Sequence, residues 1–261
     1  MKCMSSFASS FIALGACAVG LTLAVATAQQ RFGAPESTLV DDRHPEQGFK
    51  SMFNGKDLTG WDGNPKLWSV RDGVITGQTT AENPAKGNTF LIWTNGTPGD
   101  FELRCSFKLV PGDAEGFANS GIQYRSRVFD QANWVVGGYQ ADMEAGPNYT
   151  GILYEEKLRG IMALRGEKVV WTADNKKKVV GSVGSAADIE ASLHKGDWNE
   201  YVIIAKGNHL QEFVNGKQTV DVTDECDEKR ALNGIIALQL HMGAPMMAQF
   251  KNLRIKLLTG P

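Results

Sequence analysis

The sequence predicts an all-β sandwich or barrel, on three observations. Short runs that alternate apolar and polar residues recur along the chain. Turn dipeptides punctuate them: Asn54-Gly55, Asp72-Gly73, Gly207-Asn208 and Asn215-Gly216. Glycine is abundant, at 29 residues beside 9 prolines, as a fold with many tight turns requires. Of the 261 residues, 42% are hydrophobic and 21% charged, which excludes wholesale disorder. The formal net charge of −2 is unpatterned, which excludes a chain-wide nucleic-acid footprint. A chain of this length can bury a sizeable core without metals or disulfides.

In chain order, residues 1–28 read as a signal peptide. Lys2 supplies the positive start, Phe11 to Ala26 the apolar run, and Ala26-Thr27-Ala28 the cleavage signal. Two other readings stand beside it. A membrane anchor would need roughly 20 strongly apolar residues, and this run is shorter and rich in Ala and Gly. Leu14-Gly15-Ala16-Cys17 has the form of a lipobox, but apolar residues follow Cys17 where a lipoprotein continues into a polar tether. The expectation is export to a periplasmic or extracellular location, with cleavage after Ala28. Residues 29–47 are polar and aperiodic, hence a linker or N-terminal arm. Residues 48–261 read as a single domain, with no later stretch apolar enough to span a bilayer.

Within that domain strands are expected at Trp68–Val70, Val74–Gly77, Thr89–Trp93, Phe101–Leu109, Ser120–Arg125, Tyr139–Glu144 and Gly151–Tyr154. Further strands follow at Ile161–Leu164, Lys168–Trp171, Asn199–Lys206, His209–Val214, Gln218–Val222, Ile235–Leu240 and Ala248–Leu257. Asp188–Leu193 offers one or two helical turns, and Lys176 to Lys178 read as a solvated loop tip. Beyond residue 28 the cysteines are Cys105 and Cys226. Cys105 alternates with apolar neighbours and is expected in the core, while Cys226 sits in a charged turn. Two free thiols are favoured over a bridge, and without a C-x-x-C a cysteine zinc site is not supported.

Residues two apart on a strand share a face. In four strands the face opposite the apolar one is unusually rich in hydrogen-bonding side chains. It carries Glu102 and Arg104, then Gln123 and Arg125, then Gln140, Asp142 and Glu144, then Gln239 and His241. Merely solvated faces tend towards Lys, Glu, Thr and Ser. If these strands are neighbours in one curved sheet, they form a hydrogen-bonding floor for a polyhydroxylated ligand. The alternative is a plain solvated face of an antiparallel sheet.

Several phrases stand out along the chain by their order and spacing. They are Met52-Phe-Asn-Gly-Lys-Asp-Leu-Thr-Gly-Trp61, Trp68-Ser-Val-Arg-Asp-Gly-Val-Ile-Thr-Gly77 and Asp100-Phe-Glu-Leu103. Asn119-Ser-Gly-Ile122 with Arg125, Gly138-Tyr139, Thr150-Gly-Ile-Leu-Tyr154, Asp197-Trp-Asn199, Val214-Asn-Gly-Lys217 and Phe250-Lys-Asn-Leu-Arg-Ile255 follow. Together they resemble the 3-keto-disaccharide hydrolase domain family, from about Gly48 to Leu258. That resemblance implies a concanavalin A-like jelly-roll sandwich of two antiparallel sheets, one of them concave. It implies chemistry on sugars already oxidised at C3: a base removes the acidified C2 proton, and the enolate expels the C1 oxygen. Water can then add back. Such a route needs a base and a group that steadies the enolate, not the paired carboxylates of ordinary glycosidases.

The family's Asn-Ser-Gly plus Arg pattern falls on Asn119, Ser120, Gly121 and Arg125. Its Gly-Tyr-Glu-x-Gln strand falls on Gly138 to Asp142 with a departure, Gln140 and Asp142 standing where Glu and Gln are common. Leu238, Gln239 and His241 match its Leu-Gln-x-His pattern. The roles this implies are Asp142, Glu144 or His241 as base, imidazoles being suited to neutral pH. Arg125 is the oxyanion group, and Glu102, Asn119, Gln123, Gln140 and Gln239 contact the sugar. Trp93 or Tyr154 is a stacking platform, with core packing as the alternative for each. Asp142, Glu144 and His241 have the donor types for a divalent metal, though without a spacing signature. No G-x-G-x-x-G follows a strand, so a separate oxidoreductase partner is expected to supply the ketone. G-x-S-x-G is also absent, which leaves serine-hydrolase chemistry unsupported.

Two other functions remain open. A glycan-binding module would share the fold and the floor, and the displaced acid favours it. A laminin-G-like interaction domain would hold calcium at rim loops, but Asp57, Asp62, Asp72 and Asp100 sit singly at turns, where Asp is common anyway.

Overall fold

The computed structural model describes residues 47–258. The expected signal peptide and residues 29–46 of the expected arm lie outside the described residues. The elements begin with β1 (Lys50–Ser51), β2 (Trp61–Asp62), β3 (Trp68–Arg71), β4 (Val74–Gln78), β5 (Thr89–Trp93) and β6 (Phe101–Pro111). Then come β7 (Asn119–Asp130), β8 (Val135–Glu144), β9 (Leu153–Glu156), β10 (Gly160–Ala163), β11 (Glu167–Trp171) and β12 (Lys177–Ser182). The chain continues with α1 (Ala186–Ala191), β13 (Asn199–Lys206), β14 (His209–Val214), β15 (Lys217–Asp224), β16 (Ile235–Leu240) and β17 (Met246–Leu257).

Two sheets result. A ten-stranded sheet runs β12-β11-β15-β14-β13-β6-β17-β4-β3, with β1 also on β17. A seven-stranded sheet runs β10-β9-β8-β7-β16-β5-β2. Among the described residues every pairing is antiparallel but one, since β11 and β15 run parallel. The chain crosses from β10 in one sheet to β11 in the other through Leu164, Arg165 and Gly166 alone.

Period-two burial builds the core. In β6 Phe101, Leu103, Cys105, Phe107 and Leu109 are buried while the residues between them are part-exposed. Burial of each large apolar side chain stabilises by about 1.5–3 kcal/mol. The sheets meet through such residues, with the Phe101 ring set edge-on against Tyr124 of β7 at 6.2 Å. Cys105 and Cys226 are both buried free thiols, and burial pushes the Cys105 thiol far up, out of reactive range.

Three local expectations change. Lys177 and Lys178 open β12 rather than capping a loop, because the turn closes earlier, with Thr172 N–H donating to the Lys176 carbonyl. The helix starts at Ala186, where the Ser185 hydroxyl accepts from Asp188 N–H at 3.1 Å, and Ile189 anchors it in the interior. β7 runs on to Asp130, with a bulge after Tyr124 where Arg125 adopts φ +46°. Gly234, at φ +157°, packs against that bulge, where a Cβ would lie 2.4 Å from the Arg125 carbonyl carbon.

Candidate functional site

The side chains of the seven-stranded sheet that point away from the core line a cavity of roughly 270 Å³. Gln140 and Asp142 come from β8 and Gln239 from β16, with His241 just beyond it. Asn119 comes from β7, Tyr154 and Glu156 from β9 and Ile161 from β10. Asn88 arrives from the segment before β5, and Tyr149 and Ile152 from the β8–β9 connection. Residues from β10 across to β16, with Asn88 from the segment before β5, share one cavity, so this outer face is concave. Tyr149, Ile152, Tyr154 and Ile161 give it an apolar wall, and the amides and acids give it a polar floor.

Asp142 sits at the centre of the floor. Its Oδ2 accepts from Gln140 Nε2 at 2.7 Å and its Oδ1 from Asn119 Nδ2 at 3.2 Å. Burial pushes the carboxyl up to about 8; the two amide hydrogen bonds oppose that shift, and Glu144 and Glu156 reinforce it. Burial also raises Glu156, against the pull of Lys157, the Asn88 amide and His241. The Tyr154 hydroxyl is raised by burial and by both acids.

The amides form a directed chain. Gln140 Oε1 accepts from Gln123 Nε2 at 2.7 Å and from Gln239 Nε2 at 2.9 Å. Gln123 Oε1 in turn accepts from Ser126 Oγ at 2.7 Å. The Gln239 Oε1 atom is buried and has no partner among the described residues. His241 Nδ1 lies 2.5 Å from the Met242 carbonyl oxygen. A carbonyl oxygen only accepts, so Nδ1 is the donor in that contact and Nε2 is the ring nitrogen it leaves unengaged. Phe117 packs edge-on against the ring at 5.4 Å.

Gln140, Asp142, Gln239 and His241, which the alternation put on one face, thus line one cavity, joined by Asn119 and Tyr154, which the resemblance pointed to, and Gln123 is buried beside them. Four residues do not. Glu102 lies on β6 of the other sheet, where its carboxylate accepts from Arg104 Nε at 2.8 Å. Arg125 is turned away by its bulge, because a register shift sends a side chain to another face. Its guanidinium donates to the Gly99 and Gly207 carbonyls and to Asp100 Oδ1, at 2.9, 2.5 and 2.9 Å. It is a buried clamp, not a floor cation. Trp93 shares the core face with Leu91 and packs against the hydrophobic core. Glu144 shares the floor's side of β8, but its Oε2 accepts from Asn148 and Tyr149 N–H at 2.9 and 3.0 Å, shaping the loop that carries Tyr149.

Asp142, Glu144 and His241 therefore do not form a metal triad. Among the described residues no three His, Cys, Asp or Glu side chains gather as a cation site. Sequence reasoning missed Glu156, Asn88, Tyr149, Ile152 and Ile161 as cavity residues. Glu156 was readable, two residues beyond Tyr154 on one face, once the strand is carried past Tyr154. Asn88 and Tyr149 lie in connections and carry no periodic signal.

A two-sheet β-sandwich with a polar, concave cleft on one outer face is the class that these features define. The profile described as the 3-keto-alpha-glucoside-1,2-lyase-like domain matches residues 48–256, and the chain belongs to that family. Membership supports a carbohydrate-directed role. The fold is similar to two structures provisionally described as glycosyl hydrolases from Parabacteroides distasonis. One is 19% identical, covering 81% of this chain and 94% of that one, with a TM-score of 0.51. The other is 20% identical, covering 80% and 99%, also with a TM-score of 0.51. No curated protein matches the chain. Among the described residues no helix is long and apolar enough to cross a membrane.

Proposed function

We propose that the protein cleaves the glycosidic bond of 3-keto-glycosides by base-catalysed elimination. One observation carries the reading. A carboxyl at the floor of an accessible polar cleft, Asp142, is held by two amide donors and pushed up to about 8. A base whose pKa lies near the working pH combines proton affinity with a usable ionised fraction.

In this reading Asp142 takes the C2 proton and the electrons form the C2–C3 enolate. The enolate re-forms the ketone as the C1–O bond breaks, and the aglycone oxygen leaves, taking a proton from solvent. Addition of water across C1 and C2 then gives the free 3-keto-sugar. The hydrogen of Asn119 Nδ2 not used on Asp142 can meet the enolate oxygen. His241 Nε2 meets a sugar hydroxyl, and Tyr149 and Tyr154 offer apolar surface to sugar C–H bonds. The substrate arrives already oxidised, so a separate oxidoreductase belongs to the proposal. Export directed by residues 1–28 belongs to it too.

A second reading has its own support. With Arg125 clamped elsewhere, no Lys or Arg among the described residues lines the floor, and a site without a fixed cation suits a glycan-binding module. A 3-keto-glucoside with a chromogenic leaving group, run beside the unoxidised glucoside, separates the two. Release from the keto form alone supports elimination. Binding of sugar without release from either supports the module.

A further inference from the structure

The amide chain has a direction, and Asp142 sets it when it is ionised. An ionised carboxylate only accepts, so it must face the N–H side of Gln140, whose Nε2 lies 2.7 Å from Asp142 Oδ2. Gln140 Oε1 then points back along the floor and takes one N–H each from Gln123 and Gln239. Gln239 has thereby committed its Nε2, and its Oε1 is left over. That oxygen has no partner among the described residues, and Gln239 is fully buried in a cavity wall. A buried acceptor left unsatisfied costs about 1–3 kcal/mol, which a ligand offering an O–H there would recover.

We infer that Gln239 is a specificity-determining residue. With Asp142 ionised, its Oε1 is an obligate acceptor that selects a sugar carrying a free hydroxyl donor at one ring position. An analogue that lacks that hydroxyl leaves the acceptor stranded, and polar sites reject such analogues far more strongly than apolar pockets reject an extra group. Asp142 acts on this selection through Gln140, as a positioning residue. The titratable groups around it are Glu144 on its own strand, Tyr154 and Glu156 on β9, Tyr149 in the loop and His241 beyond β16. Glu212 and Tyr201 act from the core side.

This inference rests on the carbohydrate reading, so its test avoids turnover. 1,5-Anhydroglucitol and its 3-keto derivative carry no aglycone at C1, so they have no glycosidic bond to cleave. Binding of each is measured by calorimetry at about pH 9, where Asp142 is ionised, beside the 2-, 4- and 6-deoxy counterparts. In the wild-type protein one deoxy compound should bind about tenfold or more weakly than its parent. In Gln239→Met, which keeps the side chain's shape, that penalty should shrink to within about twofold. Asp142→Asn, nearly isosteric, should also shrink it, because an amide accepts either orientation of Gln140. It serves as the second variant if Gln239→Met fails to fold. Equal binding of all deoxy members by the wild type overturns the inference alone, as does a penalty unchanged in the variants. Absence of binding by every compound overturns it together with the carbohydrate reading.

Discussion

Asp142 and Glu212 are both deeply buried carboxyls, and burial pushes both up to about 8. They differ in what surrounds them. Glu212, on β14, points into the sandwich interior and accepts from the Tyr124 and Tyr201 hydroxyls at 3.0 and 2.9 Å. Its tyrosines belong to opposite sheets, so it ties the layers together. Asp142 faces away from the core, takes amide N–H groups and lies against a cavity. A raised pKa marks a carboxyl that water has left. Only the neighbouring space shows whether a substrate can take water's place.

The largest expected effect separates the two acids by kinetics. Asp142→Asn should lower turnover of a 3-keto-glucoside by about 10²–10⁴ with the fold intact. Glu212→Gln should leave the rate within about threefold. A rate loss confined to Glu212→Gln would reverse the assignment.

The next effect concerns the interior. Arg125→Ala should cost about 3 kcal/mol in denaturant unfolding, since it strands buried carbonyls and Asp100. Among molecules that remain folded, the kinetic constants should be near wild type. A turnover loss without a stability loss would restore Arg125 to the site.

pH sharpens the comparison further. Both folded-state pKa values are raised, so the folded protein holds protons that the unfolded chain releases above the ordinary carboxyl range. The stability this contributes is present at low pH and is lost as pH rises through about 8. Melting temperature should therefore fall from about pH 6 to about pH 9, and fall less steeply in Glu212→Gln. Activity should run the other way and rise as Asp142 loses its proton. An identical stability slope in Glu212→Gln and wild type would remove Glu212 from the account.

The smallest effect tests a surface position. Glu102→Ala, on the far sheet, should change stability by no more than about 0.5 kcal/mol and leave activity unchanged. A binding defect there would mean that the two sheets share a site.

Much of this was legible in the sequence, because strand alternation needs only local pattern. Phe101 to Leu109 declared their core face, and Gln140 with Asp142 declared the other one. Alternation cannot say which sheet a strand joins, so Glu102 was grouped with residues that it never approaches. Nor does it survive a bulge: the residue after Tyr124 takes a left-handed conformation, and Arg125 leaves the floor. It gives the face of Trp93 but not what covers that face. Loop residues such as Asn88 and Tyr149 reach the cavity through tertiary closure alone.

The most direct test is a carbon-13 NMR titration of the carboxyl groups, with and without 1,5-anhydroglucitol. The account predicts that Asp142 and Glu212 both titrate well above ordinary carboxyls, and that sugar moves the Asp142 resonance and leaves Glu212 in place. An Asp142 resonance that ignores the sugar, or a Glu212 resonance that follows it, would contradict the account.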